Sequence, residues 1–131
     1  MLIIKKRFTF EAAHRLPNHD GPCQRLHGHS WVMWVSVEPL SRDRGEGLNI
    51  NGPKAGMLMD YGDMKAIVNP IVGKYLDHHY LNETVGGNPT SEYLCIWMGE
   101  KLLGADWPVG VGVSEVEIEE TCTSSCRLIL N

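Results

Sequence analysis

"HGHSWVMWVSV", residues 27–37, decides the fold. Its β-branched and aromatic side chains suit a pleated ribbon with two largely apolar faces, so the stretch predicts a strand. His27 and His29 stand two positions apart and therefore project from one face of it. Upstream, residues 2–13 predict a second strand, because Phe8, Phe10, Ala12 and His14 alternate with Thr9, Glu11 and Ala13. The proline, asparagine and glycine of "RLPNHDGP" place a loop between the two.

Downstream, "EPLSRDRGEGLNINGPKAG" predicts a long exposed connection, and "MLMDY" a short strand after it. Asp60 or Asp63 can cap a helix whose apolar stripe is Met64, Ile67, Val68, Ile71 and Tyr75, with Pro70 expected to kink or divide it. "LDHHYLN" and the loop "ETVGGNP" follow. Thr90 or Ser91 then caps a second helix with Glu92 in its first turn. Strands over Val113–Thr121 and Arg127–Leu130 close the chain. Strand pairs flanking two helices predict an α+β fold, an antiparallel sheet with both helices on one face. The sheet is short and its edges are long, which invites sheets of different chains to associate.

At 131 residues the chain is expected to form one domain, residues 1–131. A net charge of −4 and a pI near 5.8 argue against nucleic acid or an anionic membrane as partner. No run approaches the roughly 18 apolar residues of a membrane span. Four cysteines are few for a disulfide scaffold, so the expectation is a cytoplasmic protein with reduced thiols. Arg15 and Arg25, close to the histidines, keep a small anionic ligand open.

His14 ends its strand on the face of Phe8 and Phe10. If the two strands are neighbours, His14, His27 and His29 converge from a rigid sheet, a common way to hold a catalytic zinc with a position left open. Iron, manganese and copper also accept imidazole, so zinc is a preference. Cys23, four residues before His27, has three readings: a fourth ligand, a thiolate base beside an open site, or an inert thiol. Asp77 precedes His78, and a carboxylate beside an imidazole can fix its tautomer for acid–base work. In "VSEVEIEE" the strand period puts Glu120 on the apolar face, where a ligand with adjacent N–H groups would satisfy it. The alternative is that the strand ends at Glu119 and Glu120 turns to solvent. Cys122 and Cys126 read as structural, and Cys95 as core.

Taken in order, "FTFEAAHRLP", "CQRLHGHS", "MDYGDMK", "LDHHYLN", "NPTSE" and "EETCTSSC" resemble the 6-carboxytetrahydropterin synthase family, relatives of the 6-pyruvoyltetrahydropterin synthases, over residues 8–126. The resemblance implies the tunnelling fold (T-fold), in which sheets of several chains join into a barrel, usually a homohexamer. It implies zinc on His14, His27 and His29, and Cys23 as proton-abstracting base. Asp77 and His78 resemble the relay pair, working with a cysteine of a neighbouring chain. Glu120 matches the glutamate that anchors the pterin ring and joins the relay, and Thr90 and Ser91 match ring-contacting positions. The implied reaction is zinc-dependent conversion of 7,8-dihydroneopterin triphosphate to 6-carboxy-5,6,7,8-tetrahydropterin, acetaldehyde and triphosphate, which feeds the 7-deazaguanine and queuosine pathway. The three residues between Cys23 and His27 look like the bacterial carboxy-forming branch. The pyruvoyl-forming branch, without carbon–carbon cleavage, is the runner-up, and a zinc-stabilised binding module without turnover the reading from another class. The departure is an insertion around Ser41–Gly56, longer than in many relatives, which either touches the triphosphate or decorates the surface.

Overall fold

The computed structural model describes residues 2–41 and 47–130. Two long strands, β1 (Ile4–His14) and β2 (His27–Pro39), pair antiparallel along the whole of β1, from Ile4 opposite Val37 to His14 opposite His27. β3 (His79–Tyr80), β4 (Val111–Thr121) and β5 (Ser124–Ile129) complete a sheet of order β3-β1-β2-β4-β5. One face is covered by helices. Phe8, Phe10, Trp31, Met33, Val35, Val116 and Ile118 point into it and meet Met64, Val68, Leu94, Met98 and Leu102 from the helices. Full burial of such side chains stabilises by about 1.5–3 kcal/mol each relative to exposure.

The helices are α1 (Tyr61–Ile71), the short α2 (Leu81–Thr84) and α3 (Ser91–Leu103). Asp60 caps α1, accepting from Gly62 N–H at 2.7 Å, and Thr90 caps α3, accepting from Tyr93 N–H at 3.1 Å. α3 lies close on β5, where a Cβ on Gly99 would come within 2.9 Å of Leu128.

The sheet differs from expectation in being mixed. β3 runs parallel to β1, with Ala12 opposite His79 and Ala13 opposite Tyr80. "MLMDY" forms no strand: consecutive Leu58 and Met59 are both buried, which a half-buried strand with its two-residue period cannot provide. They close the core ahead of α1 instead. Pro70 lies inside α1, one residue before its end. After it the ladder widens into a π turn, Val72–Leu76, in which Asp77 N–H reaches Val72 O at 2.8 Å. That wider turn sets where Asp77 emerges. Of the insertion Ser41–Gly56, residues 42–46 lie outside the described residues, and the others are largely exposed, tied by local backbone bonds from Asn49 N–H to Met57 O, Gly56 N–H to Asn49 O, Ala55 N–H to Gly52 O and Met57 N–H to Lys54 O.

Candidate active site

The ends of β1 and β2 carry the histidines. Pairing puts His27 directly opposite His14 and His29 opposite Ala12, so strand alternation turns all three rings to the helix-covered face. Ring centroids lie 4.4 Å (His14–His27), 4.9 Å (His27–His29) and 5.1 Å (His14–His29) apart. Trp31 is the floor, 5.0 Å from His14 and 5.2 Å from His29, with its indole N–H on Ala12 O at 3.2 Å.

Glu120 joins them. Its Oε1 stands 3.3 Å from His14 Nε2 and 3.4 Å from His29 Nε2, so it faces the covered side as the strand period implied. One donor atom from each of His14, His27, His29 and Glu120 lies within 4.8 Å of all the others. Among the described residues this is the group that could hold a metal, and Cys23 is outside it.

The donor chemistry fits a cation. His14 Nδ1 lies 2.8 Å from Pro89 O, and His27 Nδ1 2.7 Å from Arg25 O. Carbonyls only accept, so both rings carry hydrogen on Nδ1 and present a lone pair at Nε2. His14 Nε2 and His29 Nε2 are buried and make no aligned hydrogen bond, although a carboxylate oxygen is close to both. A lone pair facing a carboxylate needs a proton or a metal ion between them. Burial holds the pKa of both His14 and His29 below the ordinary 6.5, so each ring favours its neutral form, the form that can ligate a metal ion.

Asp77 and His78 form a separate unit. Asp77 Oδ2 lies 2.9 Å from His78 Nδ1, and Asp77 Oδ1 accepts from Glu11 N–H at 2.9 Å. The Glu11 bond, followed by His78, holds the Asp77 carboxyl below the ordinary 3.8. His78 N–H donates to Glu11 O at 2.6 Å, and His78 sits at φ +60°, a left-handed conformation costly for a residue with a Cβ. Its side chain is 80% exposed. It borders an open cavity of about 530 Å³ whose lining includes Glu11, His29, Ser30, His79 and Tyr80. Glu11 and Ser30, bonded at 2.7 Å, point to the face opposite the three imidazole rings. Of those rings' residues, His29 alone borders the cavity.

Cys23 is half-buried in a single 3-10 turn, Pro22–Gln24, in the loop between His14 and His27. Thr90 and Ser91 start α3 next to Pro89, whose carbonyl holds His14, so the helix N-terminus abuts the cluster. Ser91 Oγ is engaged with Glu92 at 2.7 Å. Sequence reasoning missed the two carbonyls that orient His14 and His27, since neither has a side-chain signature. It also missed Asn82, whose carboxamide grips Arg15; only its place in "LDHHYLN" hinted at a role.

Comparison with known proteins completes the description. The profile of the family "6-pyruvoyl tetrahydropterin synthase" matches residues 3–129. A 6-carboxy-5,6,7,8-tetrahydropterin synthase of Synechocystis sp. is 47% identical over 128 residues, covering 97% of this chain and 92% of the relative. One of the same name from Haemophilus influenzae is 37% identical over 81 residues, 62% of this chain and 52% of the relative. The solved 6-pyruvoyl tetrahydropterin synthase of Caenorhabditis elegans superposes with a TM-score of 0.77 at 26% identity, covering 99% of this chain and 96% of that one.

Proposed function

Because this chain belongs to the 6-pyruvoyl tetrahydropterin synthase family, we infer that it is a carboxy-forming pterin synthase. It converts 7,8-dihydroneopterin triphosphate and one water to 6-carboxy-5,6,7,8-tetrahydropterin, acetaldehyde and triphosphate, a step toward 7-deazaguanines such as queuosine. Near-complete overlap with the carboxy-forming relative from Synechocystis sp. supports this branch over the pyruvoyl-forming one. The observation that carries the metal-dependent reading is the pair of buried, unbonded Nε2 atoms of His14 and His29 facing the Glu120 carboxylate.

His14, His27 and His29 would hold a zinc ion. When bound, zinc supplies a Lewis acid that polarises the substrate's side-chain oxygens. Cys23, close in sequence to the ligands and outside the metal-capable group, acts as base and takes the side-chain proton next to the ring. Asp77 orients the His78 imidazole by its Nδ1, and the outward-facing Nε2 moves protons during tautomerisation. Glu120 offers a carboxylate to the adjacent N–H groups of the pterin, with Thr90 and Ser91 beside the ring. Ring reduction balances side-chain oxidation, so no redox cofactor is required.

The exposure of His78 and its place with Glu11, away from the face of the histidine rings, support a site completed between chains; the hexamer and the cytoplasmic setting rest on the family resemblance. Each chain then gives its Asp77–His78 pair to a neighbour's Cys23. No described helix is long and apolar enough to cross a membrane. The test is incubation of zinc-loaded protein with 7,8-dihydroneopterin triphosphate and identification of products by mass spectrometry. Carboxypterin is expected; pyruvoylpterin would move the chain to the sister activity, and no product would leave a binding module.

A further inference from the structure

The turn that carries Cys23 is held from across its loop by two consecutive residues. Leu16 N–H donates to Cys23 O at 2.8 Å, and Arg15 Nε donates to Gln24 O at 2.7 Å. Leu16 is buried and so anchors its end. Inside the turn the remaining bonds are longer: Gln24 N–H to Gly21 O at 3.2 Å and Arg25 N–H to Pro22 O at 3.0 Å.

Arg15 is itself gripped on both sides of its backbone by one side chain. Its N–H donates to Asn82 Oδ1 at 2.9 Å, and Asn82 Nδ2 donates to its carbonyl at 2.7 Å. The carboxamide thus imitates a neighbouring strand, two residues beyond the pairing of β1 with β3. A line of hydrogen bonds runs from α2 through Arg15 to Gln24. Guanidinium-to-carbonyl bonds are charge-assisted, and the planar group fixes the direction of Nε–H, so this link is strong and directional.

We propose that Arg15, held by Asn82, is a positioning residue for Cys23. It ties the turn bearing the thiol to the strand end that bears His14, so that base and metal ligands keep a constant separation. The proposal rests on Cys23 being the base. A base displaced by about 1 Å loses on the order of 100-fold in rate, which makes such a tie valuable.

The experiment compares Arg15→Ala and Asn82→Ala with the parent as full, zinc-loaded chains. Expected are a kcat lowered about 10- to 100-fold with KM held within about twofold. Zinc content should not change. Iodoacetamide should alkylate Cys23 faster in both variants, followed peptide by peptide against the exposed Cys122 as internal reference. If Arg15→Ala does not fold, Asn82→Ala carries the same comparison. Unchanged Cys23 alkylation would overturn the proposal, as would a raised KM with kcat retained, which makes Arg15 a substrate contact. Cys23→Ala separates the two layers. If that variant turns over, the base reading fails, while the alkylation comparison still decides whether Arg15 holds the turn.

Discussion

Pro89 O lies 2.8 Å from His14 Nδ1, across 75 residues of sequence. That contact fixes the tautomer of the one imidazole in the cluster that is fully buried, and couples the start of α3 to the strand end that carries the cluster. With the donor atoms already within 4.8 Å of one another, the cluster has the geometry of a preformed site.

A preformed site predicts tight zinc binding and a measurable stabilisation. Zinc at a hundredfold excess over its Kd should stabilise the fold by about 2.7 kcal/mol, read by chemical or thermal denaturation. In His27→Ala, altered at a half-exposed ligand, this gain should largely vanish and bound zinc should drop well below one per chain. Retention of full zinc by that variant would remove His27 from the ligand set.

The pH dependence follows from His14 and His29. Burial lowers their folded pKa values below 6.5, so in the window just beneath 6.5 the unfolded chain binds more protons than the folded one. Stability of the metal-free protein is therefore complete above pH 6.5 and declines as pH falls below it. A further decline is expected below pH 3.8, where Asp77 loses its charge-dependent bonds. Urea denaturation from pH 8 down to below pH 3.8 checks this, and a profile flat through 6.5 would contradict it.

Cys23→Ala should keep zinc and lose turnover by about 100- to 10,000-fold, the usual worth of a general base. Metal analysis beside steady-state assay separates this from a ligand role, in which zinc would fall too.

Glu120→Gln removes one negative charge and keeps shape. Pterin affinity should fall at least about tenfold, as for a lost charge-assisted pair, with zinc still held by the three histidines. Calorimetry with a pterin, run beside zinc analysis, reads both. Loss of zinc would make Glu120 chiefly a ligand, a role its distances to His14 and His29 also permit.

If Cys23 and the Asp77–His78 pair meet between chains, two inactive variants should complement each other. Cys23→Ala and His78→Ala, dissociated and reassembled together, should recover up to about a quarter of parental sites by random mixing. No recovery from properly mixed oligomers would argue for a site within one chain.

Much of this was legible because a strand has a strict period. Phe8, Phe10, Ala12 and His14 share one face, as do His27 and His29 on the next strand, so three imidazoles converge once those strands are neighbours, as β1 and β2 are. The same count put Glu120 on the apolar face, with a turn into solvent as the alternative, and the structure has it there, facing His14 and His29, despite the irregularity between Glu119 and Thr121. What was not legible lacked a period. β3 has two residues, too few to alternate, so its parallel pairing and the mixed sheet left no trace. Leu58 and Met59 looked like strand because local composition cannot tell a pleated segment from a turn folded onto the core. The π turn after Pro70 depends on which carbonyl each N–H finds once the proline donor is missing.

The most direct measurement strips the protein of metal, restores zinc, and counts acetaldehyde trapped per 6-carboxytetrahydropterin formed from 7,8-dihydroneopterin triphosphate. The account predicts no turnover when stripped, recovery with zinc, and one acetaldehyde per carboxypterin. Undiminished turnover by the stripped protein, or a pterin product with no acetaldehyde, would contradict it.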